Sequence, residues 1–184
     1  MRGANMKVYD MNSETYQDLQ LELDKSQLNC FQINTSTPNS AAQQEAYDQL
    51  FAHQLPKDST VTAPTYIDRA SHVHIGNHVF INHNLTTIAL GGIYIGDNVQ
   101  IAPNVSLITA NHDIQQMNIL NTAPIHVEAG AWIGTKAVIL PSVTIGAGTI
   151  IGAGAVVTKD IPAHSVAVGN PAKVIKKLTL NEED

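Results

Sequence analysis

The chain has 184 residues, 43% of them hydrophobic and 14% charged, with ten Lys+Arg against sixteen Asp+Glu and a formal net charge of −6. That composition supports one packed domain with a flanking segment and excludes wholesale disorder; the acidic balance leaves no basic footprint for nucleic acid, and no apolar run approaches the roughly 20 residues that cross a bilayer. The single cysteine, Cys30, excludes an internal disulfide framework and a cysteine-rich metal site, and the opening MRGANMKVYD lacks the apolar stretch of a signal peptide, so a cytoplasmic protein is expected.

Residues 1–57 are expected to form a short helical segment. Tyr16, Leu19 and Leu23 fall at helical spacing within Glu14 to Leu28, and Ala42, Ala46 and Leu50 do so within Ala41 to Leu55. The run INTSTPNS between them reads as a turn-rich linker. Cys30 stands in no nucleophile motif and reads as structural.

From residue 58 the spacing changes. Val127, Ile133, Ile139, Ile145, Ile151 and Val157 recur every six residues, followed four residues later by Ala131, Ala137, Val143, Thr149 and Ala155. Glycine follows the aliphatic position at Gly134, Gly146 and Gly152, and the same frame appears as Ile95-Gly96-Asp97-Asn98-Val99 and Ile75-Gly76-Asn77-His78-Val79. A partner row runs Val61, Ile67, Val73, Val79, Leu85. A period of six fits neither an isolated helix nor a meander with turns every 8–12 residues. It predicts an all-β solenoid, a parallel β-helix of hexapeptide repeats over 58–178. Each hexapeptide is a short strand and a tight corner, three make a triangular coil, and the aliphatic residue points inward. Gly, Asn or Asp after it is expected at the corner, where positive φ costs these residues least. Aromatics make up only 5% of the chain, in keeping with a narrow interior.

The period slips by two residues around Ala89-Leu90-Gly91-Gly92, and again around Asn111 to Pro124. The second stretch, NHDIQQMNILNTAP, is polar and irregular and is expected to leave the coil as a loop at about 111–124. Loops on rigid scaffolds commonly carry chemistry, and His112 opens this one. A neutral imidazole with a reference pKa of about 6.5 can take a proton from a hydroxyl at neutral pH. His72, His74, His78 and His83 cluster in sequence without the spacing of a three-histidine metal set, and with His126 and His164 they read as outer-face residues. Lys173 to Lys177 reads as a C-terminal strand or helix, ahead of an acidic tail at 179–184.

The runs IGDNVQIAPNVSLITANHD (95–113) and PIHVEAGAWIGTKAVILPSVTIGAGTIIGAGAVVTKDIPAHSVAVGNPAKVIKK (124–177) resemble the hexapeptide-repeat acyltransferases, and within them the maltose and galactoside O-acetyltransferase group. The resemblance implies a left-handed β-helix, a homotrimer with active sites between subunits, and acetyl-CoA as co-substrate with no tightly bound cofactor and no metal. By position, His112 matches the general base, Asn82 in FINHN the asparagine that contacts the acceptor hydroxyl, and Asp68 an acceptor contact. Trp132 matches the pantetheine channel, Thr135 and Ala153 backbone contacts, Thr158 and Lys159 contacts near the adenine, and Lys173 and Lys176 cations for the CoA phosphates. At Leu90, where that group carries an acidic residue, this chain is aliphatic, and 1–57 lack the group's N-terminal motif. The expected function is transfer of acetyl from acetyl-CoA directly to a hydroxyl of a small acceptor, a sugar in that group. The alternatives are N-acetylation of a small amine on the same scaffold, a metal hydrolase or lyase, and a non-catalytic β-helix binding protein.

Overall fold

The computed structural model describes residues 6–179; the acidic tail, Thr179 apart, lies outside them. Helix α1 (Glu14–Thr35) and helix α2 (Ala41–Leu50) precede a stack of short parallel strands, the expected left-handed β-helix. The prism has three faces. The first stacks Thr60–Val61, Phe80–Ile81, Gln100–Ile101, Trp132–Ile133, Ile150–Ile151 and Ser165–Val168. The second stacks Thr65–Ile67, Leu85–Ile88, Ser106–Ile108, Val138–Ile139 and Val156–Val157, and the third Val73–Ile75, Ile93–Ile95, Ile125–Val127 and Thr144–Ile145. All these pairings are parallel.

The six-residue row is the core. Ile133, Ile139, Ile145, Ile151 and Val157 are each 0% exposed, as are Ala131, Ala137, Thr149 and Ala155. Two inward side chains per hexapeptide meet those of the other two faces, so one of the pair is usually small. Among the described residues no large aromatic is fully buried within the prism.

Two details of the corner differ from the sequence reading. Positive φ falls three residues after the inward aliphatic, at Asn84, Asn98, Asn104, Lys136, Ser142, Gly148 and Gly154. Gly134, Gly146 and Gly152, directly after it, do not have positive φ and are small for another reason. A Cβ on Gly134 would meet Ile151 O at 2.6 Å and Ala153 N at 2.7 Å, both in the backbone of the next coil. Glycine there lets coils approach to ladder distance.

The ends of the solenoid are covered. Helix α1 lies along the first strand of the second face: Asn34 exchanges hydrogen bonds with Thr65 N and O at 2.8 and 2.9 Å, Ser26 Oγ accepts from Ala70 N at 3.1 Å, and Ile33 is fully buried. The helix therefore satisfies backbone groups that an open sheet edge would expose. The helical pattern read to Leu28 continues to Thr35, shortening the linker to 36–40, while α2 ends at Leu50, with Ala52 and His53 at positive φ. At the far end, Lys173–Lys177 resolves as a strand, antiparallel to Ser165–Val168.

Gly134→Ala is expected to destabilise the fold by about 1–3 kcal/mol, the usual scale for overpacking, seen as a lower midpoint in urea. An unchanged midpoint would show that the coils can separate to admit a methyl group.

Candidate functional site

Three consecutive coils carry extra residues at the same corner, between the second and third faces. From Ile67 to Ile75 and from Thr87 to Ile95 the step is eight residues, and from Leu107 to Val127 it is twenty. The first of these slips is absent from the sequence reading, because the row Val61, Ile67, Val73, Val79, Leu85 runs through it. In the structure Val73 pairs with Ile93, and Ile75 shares the level of Ile95, so the row changes register there. A short 3-10 turn, Ala70–His72, absorbs the surplus.

Insertions at a corner leave backbone groups off the ladder, and buried polar side chains take them up. Asp68 Oδ1 accepts from Ala89 N at 2.6 Å and from Thr87 Oγ1 at 3.1 Å, while Asp68 Oδ2 accepts from Arg69 Nη1 at 3.1 Å. One level on, Thr109 Oγ1 donates to Ile88 O at 2.6 Å and accepts from Gly91 N at 2.8 Å. Asp68 is 9% exposed; burial pushes its carboxyl above the usual carboxylate range, opposed by the hydrogen bonds from Ala89, Thr87 and Arg69.

The third insertion is not an irregular loop. Ala110–His112 and Ile119–Thr122 form an antiparallel hairpin, and a strand from the N-terminal segment, Lys7–Asp10, adds to its outer edge. Met11 N donates to Asn118 O at 2.8 Å, and the Asn118 amide donates to Asp10 Oδ1 at 2.8 Å. The Asn12 backbone N–H and then the Asn118 amide hold the Asp10 carboxyl below its ordinary value, so it is ionised at neutral pH. Asp113 Oδ1 accepts from Gln115 N and Gln116 N and shapes the hairpin tip.

His112 ends the first hairpin strand. Its Nδ1 lies 2.6 Å from Met117 O. A carbonyl only accepts, so Nδ1 carries a proton, and in the neutral ring Nε2 is the nitrogen that keeps its lone pair. The side chain borders a cavity of about 750 Å³ walled by α1 (Tyr16, Leu23, Phe31), the corner insertions (Asp68, Arg69, Leu90) and the hairpin (His112, Leu120). The walls are mainly apolar, and Leu90 is buried in them. Cys30 is also in the lining, but its Sγ lies between Ile67 N and O at 3.4 and 3.5 Å, and burial pushes the thiol up, away from the thiolate a nucleophile requires.

The structure brings His112 and Asp68 to one cavity. The other candidates lie elsewhere on the chain. Asn82, Thr135 and Ala153 fall on the edge between the first and second faces, where Asn82 Oδ1 accepts from His83 N at 2.8 Å, Thr135 Oγ1 donates to Pro103 O at 2.8 Å and Thr135 O accepts from Gly154 N at 2.8 Å. Trp132 projects from the first face, 52% exposed. Lys173 and Lys176 are exposed on the terminal strand of that face, and Thr158 and Lys159 are exposed at the corner after Val156–Val157. His74 and His126 sit on the outer third face, stacked on either side of Tyr94 at 4.8 Å. His72 is half-buried, with Nδ1 3.2 Å from Leu90 O and Nε2 3.5 Å from Glu22 Oε2. Among the described residues no three His, Cys, Asp or Glu side chains stand together as a metal set, and no helix is long and apolar enough to cross a membrane. Sequence reasoning missed Arg69, Tyr16 and the Lys7–Asp10 strand; the eight-residue step after Ile67 was the available signal for the first.

Residues 124–159 match the family model for the bacterial transferase hexapeptide (six repeats). The chain is 36% identical to galactoside O-acetyltransferase of Escherichia coli (strain K12) over 158 residues, 84% of this chain and 77% of the relative. It is similar to the crystal structure of a maltose O-acetyltransferase from Clostridium difficile 630, with a TM-score of 0.85 and 36% identity over 95% of this chain and 94% of that one. It is also similar to a hexapeptide-repeat acetyltransferase from Vibrio cholerae O1 biovar eltor complexed with acetyl coenzyme A, with a TM-score of 0.83 and 30% identity over 93% of each chain.

Asp10→Ala is expected to loosen the hairpin, raising amide hydrogen exchange across 110–122 while leaving the prism strands protected. Unchanged exchange in the hairpin would mean that the N-terminal strand does not hold it.

Proposed function

The chain belongs to the hexapeptide-repeat acetyltransferases, and from that premise we propose that it is a cytoplasmic, trimeric enzyme that moves acetyl from acetyl-CoA directly to a hydroxyl of a small acceptor. The observation that carries the reading is His112, with Nδ1–H committed to Met117 O and Nε2 free at the border of the cavity. Nε2 takes the acceptor's hydroxyl proton, the oxygen attacks the thioester carbonyl carbon, and the C–S bond breaks. The proton on Nε2 then passes to the departing sulfur. The Met117 carbonyl stabilises the imidazolium formed in between and fixes the ring. No covalent acyl-enzyme is required, in keeping with the protonated, buried Cys30.

The 58–178 unit supplies both halves of this site, with the described part of the N-terminal segment, from Met11 through α1, closing the acceptor side. Asp68 borders the acceptor. On the donor side, acetyl-CoA is proposed to lie in the groove between the first face of one prism and its neighbour. There Trp132 offers an exposed flat surface for the pantetheine arm, and Thr135 and Ala153 offer backbone groups. Thr158 and Lys159 would meet the adenine end. Lys173 and Lys176 are exposed cations, without a carboxylate partner among the described residues, that would meet the phosphates, worth most where the rest of the chain is acidic. Asn82 lies on another edge of the prism from His112, and a trimer provides the means for two edges to meet: Asn82 of one subunit would face His112 of the next and hold the acceptor hydroxyl.

His112→Ala is expected to lower kcat by about 10²–10⁴-fold, the range for loss of a general base, with the KM for acetyl-CoA nearly unchanged. The assay is thiol release from acetyl-CoA over a panel of hydroxyl and amine acceptors. Near-normal turnover in the variant would sink the mechanism, and release with amines alone would move the reaction to nitrogen.

A further inference from the structure

Arg69 is the buried cation of the cavity, and its hydrogen bonding is incomplete. It is 4% exposed and lines the cavity. Nη1 donates to Asp68 Oδ2 at 3.1 Å, whereas Nε and Nη2 are buried and have no partner among the described residues. Unmet donors on a buried guanidinium are costly and uncommon. The two atoms are not arbitrary: with Nη1 turned to Asp68, Nε–H and Nη2–H point the same way along the other side of the plane, the two-pronged arrangement that matches both oxygens of a carboxylate.

The surroundings favour an anion. Among the described residues Asp68 is the only carboxylate lining the cavity, and its oxygens are already taken by Ala89, Thr87 and Arg69. The rest of the wall is aliphatic, aromatic or neutral, with Leu90 buried beside the corner, so little opposes a second negative charge at the prongs. The first turn of α1 reaches the same cavity through Tyr16, while Glu14 of that turn stays outside the lining. The Tyr16 ring stands over the guanidinium at 5.9 Å from Cζ to centroid, and because Nε and Nη2 are buried an incoming group reaches them only as a neighbouring side chain moves.

We propose that the acceptor is a hydroxyl compound bearing a carboxylate, and that Arg69 selects it by a two-point bond through Nε and Nη2, with Asp68 as the positioning residue that sets the plane of the guanidinium. This rests on the acetyl-transfer reading for the reaction but not for the binding. Apolar walls from Leu23, Phe31 and Leu120 complement the non-ionic part of such an acceptor.

The test compares p-nitrophenyl β-D-glucuronide with p-nitrophenyl β-D-glucoside, which differ only in carboxylate against hydroxymethyl at one carbon. Both are assayed for thiol release from acetyl-CoA and for binding by thermal-shift titration, with wild type and Arg69→Lys. The wild type is expected to favour the glucuronide about 10–100-fold in kcat/KM, the scale of a charge-assisted two-point bond. Arg69→Lys, which keeps the charge and loses the fork, should abolish most of that preference through KM, with the KM for acetyl-CoA and the unliganded melting midpoint preserved. Equal or better use of the glucoside by the wild type overturns the proposal whether or not the variant folds. Glucuronide binding that depends on Arg69 but gives no thiol release upholds the anion site and defeats the acetyl-transfer reading. Absence of both Arg69-dependent binding and turnover overturns the anion site.

Discussion

The ladder between successive coils governs where this chain can vary. A strand of two or three residues reaches its partner above and below only if each turn of the prism returns the backbone to the same level, so strands cannot lengthen and faces cannot drift. The inward pairs, such as Ile133 with Ala131 and Ile139 with Ala137, keep the three faces at one spacing. Surplus residues are tolerated only at corners. That all three insertions fall on the corner between the second and third faces, on consecutive coils, is what turns a featureless prism into one with a recessed wall.

Such a corner has a polar cost that the rest of the prism avoids. Where the ladder is interrupted, Ala89 N and Gly91 N look for acceptors inside the protein, and Asp68 Oδ1 and Thr109 Oγ1 supply them. Structure and site are therefore coupled. The same aspartate that satisfies the second insertion orients the guanidinium beside it, and the same corner that needs buried acceptors is where α1 must lie to shield them. The N-terminal segment does more than plug the solenoid: its helix closes one wall of the cavity and its strand props the hairpin that bears His112.

The solenoid was legible because its signal is one-dimensional: a six-residue step survives in the letters, as does the break that frees His112. What the letters could not carry is contact between distant segments. NHDIQQMNILNTAP reads as a loop because its regularity lies in pairing, partly with Lys7–Asp10 more than a hundred residues away. The glycines after the aliphatic row were legible as a pattern but not as to cause, since dihedral freedom and close approach of coils select the same residue. The slip after Ile67 was masked because Val73 is aliphatic and buried, so a row of the right residue types continued through a change of register. Arg69 carries no motif of its own; the eight-residue step marks its corner, and its burial beside Asp68 singles it out there.

The two halves of the proposed site differ in how they are built. Trp132, Thr135 and Ala153 stand on the regular prism, where the ladder fixes every position and a change in one coil is felt by its neighbours. The acceptor side is assembled from an α-helix, a corner with surplus residues and a hairpin held from outside, none of them bound by the six-residue step. Such a division lets one rigid donor surface serve many acceptors: the cavity can change its charge and shape through Arg69, Leu90 or the face of α1 without disturbing the stack. A guanidinium held by one prong and, among the described residues, unpaired at two belongs to the adaptable half, and it is there that the chemistry of the acceptor should be sought.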